Sequence, residues 1–245
     1  MTTDGKRTIT TPLTHELTPL ILGTALVCRF ATSAVTRVRL EGAVDAIPRD
    51  GPVIIAANHA SNLDPIVIGS WLVPTLGRRM QWLGKKELFD WPVLGYLARH
   101  GGVHPVDRDA ADVEAFRLAR RILDEGHPLF VFPEGTRSPD GTLQAARDGV
   151  SVLAQRTGAP IVPVGISGSA AVWPRGQRFP RPGGRVTVRV GEAVRLADEL
   201  PPNVDRKAAK GLATELIMRR IAALLPPDQR GAYAAAEGVS TPPVR

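Results

Sequence analysis

The sequence predicts a three-layer α/β fold. A mostly parallel or mixed central sheet is flanked by helices, with an apolar helix at the N-terminal end. Three observations lead there. Short apolar runs of four to six residues, rich in β-branched side chains, recur along the chain. Segments with helical length and pattern alternate with them, which is the signature of a layered α/β domain rather than an all-β or all-α one. The chemically distinctive residues gather just past three of those runs, at 58–64, 107–108 and 133–138. In such sheets, sites form beyond the carboxyl ends of strands.

Taken in order, Met1–Glu16 is polar and reads as a loose leader without a basic-then-apolar signal pattern. Residues 17–35 form a helix, and Val38–Val44 a short strand or turn. Pro52–Ala57 is a buried strand. A helix follows from about Pro65 to Val73, with Pro65 suited to its first turn and Pro74 ending it. Met80–Leu83 is a strand, Lys85–Arg99 a mixture of helix and loop, and Val103–Val106 another strand. Asp109 caps a helix reaching about Glu125, and Gly126 closes it. Leu129–Phe132 is a strand, Pro133–Thr142 turns, and Leu143–Thr157 a helix stopped by Gly158. Ile161–Ile166 and Arg185–Val190 are strands separated by a long loop over 167–184. Arg206–Leu225 is a helix with Leu212, Leu216, Ile217 and Ile221 towards one face. The Pro-, Gly- and Ala-rich residues 226–245 are expected to be a disordered tail.

Of the 245 residues, 43% are hydrophobic and 22% charged, which excludes a collagen, a coiled coil or a wholly disordered chain. The formal charge is +7, from 31 basic and 24 acidic residues, and 26 of the basic ones are arginine. Arginine grips phosphate and carboxylate bidentately, so anionic partners are expected. The single cysteine, Cys28, excludes an intrachain disulfide or a multi-cysteine zinc site. Leu17–Cys28 is the most apolar early run. As a helix its twelve residues rise about 18 Å, short of the roughly 30 Å hydrocarbon layer, so it is read as buried or lying on a bilayer surface.

The first constellation is Asn58-His59-Ala60-Ser61-Asn62-Leu63-Asp64. A carboxylate bonded to one imidazole nitrogen fixes the tautomer and leaves the other nitrogen to accept a proton from a hydroxyl. On spacing alone, a turn histidine beside a helix-capping aspartate is the favoured alternative. His100, His104 and His127 show no metal-ligand spacing, and no metal is expected. The second constellation is Phe132-Pro133-Glu134-Gly135-Thr136-Arg137-Ser138. Glu134 could bond substrate hydroxyls and Arg137 grip a phosphate, with the glycine permitting close backbone approach. A solvated turn with an internal Glu–Arg pair is the alternative. In the third, Val106-Asp107-Arg108-Asp109, Arg108 is a second candidate anion contact, or else a salt-bridge partner of its neighbours.

With these motifs in this order, the sequence resembles the glycerolipid acyltransferases, the PlsC-type or lysophosphatidic acid acyltransferase family, over roughly residues 35–192. Asn58, His59, Ser61 and Asp64 stand in the first signature. Arg108 takes the place of the second block's arginine. Residues 132–138 match the third block in full, and Ile161-Val162-Pro163-Val164 matches the fourth. The resemblance divides the chain into an N-terminal leader and candidate membrane-docking helix (1–35), an acyltransferase domain (36–225) and the tail (226–245). It implies that His59 is the catalytic base and Asp64 its orienting group. Arg108, Glu134, Gly135, Thr136 and Arg137 would hold the glycerol phosphate. It further implies acyl-CoA or acyl-carrier protein as co-substrate with no tightly bound cofactor, and a lysophospholipid acceptor, 1-acylglycerol 3-phosphate, giving phosphatidic acid. Glycerol 3-phosphate and glycolipids of the phosphatidylinositol mannoside type are alternative acceptors. A thioesterase and a non-catalytic membrane-surface binder are rivals from other classes. The implied location is the cytoplasmic face of the cell membrane, peripheral or monotopic.

From Gly165 to Gly191 there is no acidic residue, while Arg175, Arg178, Arg181, Arg185 and Arg189 accompany Trp173 and Phe179. This composition suits an anionic membrane surface or donor phosphates, or is simply a solvated basic loop. No nucleic-acid motif accompanies it, and no nucleic-acid partner is expected. Trp71, Leu72, Trp82, Leu88, Phe89 and Trp91 are candidates for an acyl-chain groove, with a core role for most of them as the alternative.

Overall fold

Val53–Ala57, an unbroken apolar run, is the central strand, and all five of its residues are buried. A strand covered on both faces needs apolar side chains at every position. Val53, Ile55 and Ala57 enter one core, while Ile54 and Ala56 enter a second on the other side of the sheet. Each of the two isoleucines contributes about 1.5–3 kcal/mol by leaving water. The computed structural model describes residues 11–106, 112–202 and 205–234.

Among the described residues, seven strands form one sheet: β1 (Arg37–Gly42), β2 (Val53–Ala57), β3 (Gln81–Lys85), β4 (Val103–Val106), β5 (Pro128–Val131), β6 (Ile161–Ser167) and β7 (Arg185–Val190). Their spatial order is β1-β7-β6-β2-β5-β3-β4. All neighbouring pairs are parallel except β6 with β7, which makes the sheet mixed. The carboxyl ends of β2, β5 and β6 therefore share one end of the sheet with the amino end of β7. The turn into the 167–184 connection needs glycine at 168. Its φ is +78°, and a Cβ there would lie 2.1 Å from the Arg185 carbonyl oxygen.

The helices are α1 (Pro19–Val35), α2 (Asp64–Val67), α3 (Val73–Leu76), α4 (Pro92–His100), α5 (Asp112–Asp124), α6 (Gly149–Thr157), α7 (Ser169–Val172), α8 (Leu196–Glu199) and α9 (Arg206–Ala223). Thr18 caps α1 by accepting from the Ile21 N–H, and Pro19 occupies its first turn. Residues of α1, α2 and α3 enter the core on one face of the sheet, and residues of α5, α6 and α9 the core on the other. The three-layer α/β architecture read from the sequence is thus the observed one.

Several local expectations are corrected. Pro74 does not end the helix before it. A π turn at Ile68–Leu72 joins α2 to α3, with the Val73 N–H bonding the Ile68 carbonyl. The shifted register places Pro74 in a first turn, where its missing N–H is not required, and the segment continues to Gly77. Residues 143–148 are not helical, because their backbone donors are used elsewhere. The Leu143 N–H goes to the Gln229 carbonyl, that of Gln144 to Glu134 and that of Arg147 to the Pro133 carbonyl. In α9, Ile217 and Ile221 are buried as expected but Leu212 is exposed, and Ala213 and Met218 fill the core instead. The start of the expected disordered tail is ordered. Two 3-10 turns, Pro227–Gln229 and Gly231–Tyr233, dock on Leu143. The rest of that tail, and the Asp109 cap, lie outside the described residues.

Among the described residues, no helix is long and apolar enough to cross a membrane. α1 instead leaves Leu22, Leu26, Val27 and Phe30 exposed, Phe30 at 79%. α4, which packs against α1, exposes Val93, Leu94 and Tyr96, with Trp91 just before it. Trp71, Leu72 and Phe89 belong to the buried interior, so of the candidate groove aromatics only Trp91 is well exposed.

Candidate functional site

β2 ends at Ala57, and the next side chain takes over its pairing. Asn58, buried, accepts the Ile166 N–H at 2.7 Å through Oδ1 and donates Nδ2 to the Ile166 carbonyl at 2.9 Å. This side-chain rung continues the β2–β6 pairing past its last backbone pair, Ala57 with Val164, and fixes where His59 leaves the sheet.

His59 is then held from four sides. Its backbone N–H donates to Glu134 Oε1 at 2.6 Å and its carbonyl accepts the Ser138 N–H at 2.7 Å. Its ring stacks on Phe132 with centroids 3.8 Å apart and planes 10° from parallel. Nδ1 lies 2.9 Å from Asp64 Oδ2. Asp64 is fully buried at the start of α2, and the same oxygen accepts the N–H groups of Ala60 and Ser61 at 2.8 and 2.7 Å. The turn over 59–64 thus wraps one carboxylate oxygen, which is how a five-residue spacing brings the two side chains together. An ionised carboxylate can only accept, so Nδ1 carries the hydrogen and Nε2 is the free lone pair. The imidazole is 16% exposed, enough to meet a substrate from one side.

Glu134 does not lie open to a substrate as the sequence suggested. It is buried, and its two oxygens accept the backbone N–H groups of His59 and Gln144 at 2.6 and 3.0 Å. Burial pushes its carboxyl up to about 7, against the pull of those two donors, and the charges of Asp64 and Asp140 add to the rise. It ties the turn after β5 to the backbone of His59. Gly135, with φ +70°, makes that turn, and Thr136 is exposed. Arg137 donates Nη1 to Asn62 Oδ1, so the second constellation clasps the first. Arg108 lies outside the described residues. Of the site residues read from the sequence, His59, Asp64, Glu134, Gly135 and Arg137 therefore converge at the carboxyl ends of β2 and β5.

Some of the site was not legible as such in the sequence. The loop after α7 joins it: the Trp173 carbonyl accepts both Ser61 Oγ at 2.6 Å and the Asn62 N–H at 3.2 Å. Gln144 enters through its backbone, which leaves no side-chain signal. A cavity of about 600 Å³ opens between the end of α1 and the lead-in to β7, and is lined by neither His59 nor Asp64. The Cys28 thiol, pushed up by burial, sits in α1 and is not part of the dyad turn. Among the described residues, no three His, Cys, Asp or Glu side chains cluster as a metal site.

The site is an imidazole bonded to a buried carboxylate beyond the carboxyl end of a central strand, clasped by an arginine-bearing turn. The chain belongs to the acyltransferase family, whose model matches residues 37–167. It is 30% identical over 193 residues to a 1-acyl-sn-glycerol-3-phosphate acyltransferase of Chlamydomonas reinhardtii, an alignment covering 76% of this chain and 56% of that protein. Identity to the Bacillus subtilis protein of the same name is 28% over 176 residues, covering 71% of this chain and 82% of that one. The chain spans about half the length of most of the plant and algal relatives it matches. Its fold is similar to the crystal structure of the 1-acyl-sn-glycerophosphate acyltransferase PlsC of Thermotoga maritima. The TM-score is 0.67 at 27% identity, with 83% of this chain and 79% of that one covered.

Proposed function

We propose that this protein moves a fatty acyl group from an acyl thioester to the free hydroxyl of 1-acylglycerol 3-phosphate, giving phosphatidic acid. The 2.9 Å contact between His59 Nδ1 and the buried Asp64 carries the reading. Nε2 takes the proton of the acceptor hydroxyl as its oxygen attacks the thioester carbonyl. The tetrahedral intermediate collapses to the ester and expels the thiolate, which takes the proton back from the imidazolium held by Asp64. No enzyme nucleophile is needed. Arg137 and Arg108 supply guanidinium contacts to the acceptor phosphate, and Glu134 positions the His59 backbone. The donor is acyl-CoA or acyl-carrier protein.

The relatives named 1-acyl-sn-glycerol-3-phosphate acyltransferase support this acceptor over glycerol 3-phosphate or a glycolipid. An acceptor with a long chain resides in a bilayer. The exposed apolar side chains of α1 and α4, with a net charge of +7, suit peripheral attachment to an anionic surface at the cytoplasmic face. Incubation with acyl-CoA and each acceptor, read by mass spectrometry, tests the reading. Phosphatidic acid from the lysophosphatidic acceptor is the expected product. Donor hydrolysis at full rate without acceptor would mark a thioesterase instead.

A further inference from the structure

We propose that Arg175 is an additional acceptor-phosphate contact, one that selects acceptors carrying a terminal phosphomonoester. The inference rests on the proposed acyl transfer and adds a residue outside the family-matched span, which ends at 167. Arg175 sits in the Trp173–Gln177 loop, which is sewn to the catalytic turn. The Trp173 carbonyl accepts from Ser61 and Asn62, Asn62 Nδ2 reaches the Gln177 carbonyl at 3.5 Å, and Ser61 forms a bridge with Pro174. Trp173 Nε1 closes the loop on the Gln177 carbonyl at 3.0 Å. Arg175 Nη1 donates to the Arg137 carbonyl at 3.0 Å. That bond uses one of five guanidinium hydrogens and leaves the rest of the fork exposed.

The Arg137 guanidinium is thus bonded to Asn62 on the 59–64 turn and the Arg175 guanidinium to the main chain of Arg137, and neither has a carboxylate partner among the described residues. The nearby acids are committed. Asp64 holds His59 and two backbone donors, Glu134 holds two backbone donors, and Asp140 accepts from Ser138 and Thr142. Arginine forks match a phosphate bearing two charges. A phosphodiester offers one charge and an uncharged glyceride none, so the second arginine discriminates among acceptors.

The test compares wild type, Arg175→Gln, Arg175→Lys and, as a neighbouring exposed control, Arg178→Gln. Acceptors are lysophosphatidic acid and monoacylglycerol in mixed micelles with acyl-CoA. Arg175→Gln should raise KM for lysophosphatidic acid about tenfold or more, leaving kcat and monoacylglycerol turnover within about twofold. Arg175→Lys should recover part of the loss and Arg178→Gln should match wild type. A second arm titrates glycerol 3-phosphate against tryptophan fluorescence, which reads binding even without turnover. Arg175→Gln should weaken that binding. An unchanged KM, equal losses with both acceptors, or wild-type glycerol 3-phosphate affinity in Arg175→Gln would overturn the assignment. A wild type that binds glycerol 3-phosphate through Arg175 yet acylates no acceptor would contradict the acyl transfer and not the phosphate contact.

Discussion

In the proposed mechanism, His59 and Asp64 have separable duties within the dyad turn. His59→Ala removes the proposed base and leaves the backbone bonds of the turn in place. Acyl transfer should fall by orders of magnitude while thermal unfolding changes little. Asp64→Asn removes the charge that steadies the imidazolium and lets an amide N–H face Nδ1, which favours the wrong tautomer. Turnover should fall nearly as far. Because the same oxygen accepts from Ala60 and Ser61, a stability loss of about 1–3 kcal/mol should accompany it. Kinetics paired with thermal melts separate the two effects. Glu134 makes a different prediction. Its carboxyl, raised to about 7 in the folded protein against 4.5 for an ordinary glutamate, binds its proton more tightly when folded. This contribution to stability is complete below about pH 4.5 and is lost as pH rises through about 7. Glu134→Gln should flatten that part of the stability–pH profile. It should also leave one of two backbone donors, on His59 or Gln144, facing an amide N–H, lowering turnover through a displaced His59. A melting series across pH, wild type against variant, checks both.

At the level of single elements, exposure and local accounting decide what could be read in advance. β2 and β6 were legible because their residues are almost all apolar and almost all buried. The π turn was not, because proline in an apolar helix reads as a stop unless a register shift removes the need for its N–H. Residues 143–148 have helical composition, yet the site and the C-terminal turns claim their backbone donors, and no periodicity carries that information. The dyad and the Arg137 turn were legible as motifs. The burial of Glu134 was not, since its partners are backbone groups. In α1, the exposed stripe of Leu22, Leu26 and Phe30 follows the i, i+4 spacing of one helix face. Leu26→Ser with Phe30→Ser should weaken sedimentation with anionic vesicles, and leave turnover of short-chain, micelle-dispersed acceptor near wild type. Loss of both alike would mean the stripe serves folding.

Across the whole molecule, the mixed sheet is what makes one site from distant segments. β2 and β5 deliver His59 and Glu134 side by side. The antiparallel return from β6 to β7 brings the 167–184 connection over the same end. The opposite cores must both fill for the strand ends to hold register. Ile55→Ala should therefore cost about 2–5 kcal/mol and lower the melting temperature without altering KM of the folded fraction. A second titrating group acts on the global profile from far outside the dyad. His104, buried on β4 and bonded to Gln81 at 2.9 Å, is pushed down to about 4 by burial and by the charge of Arg79. Its neutral form supports the fold above pH 6.5, and that support is lost as pH falls towards 4, opposite in sign to Glu134.

The dyad chemistry is tested most directly by acyl transfer from acyl-CoA to 1-acylglycerol 3-phosphate, with wild type and His59→Ala assayed side by side at matched folded concentration. Wild type should produce phosphatidic acid, and His59→Ala should produce it at a rate lower by orders of magnitude. Equal rates from the two proteins would contradict a base at residue 59.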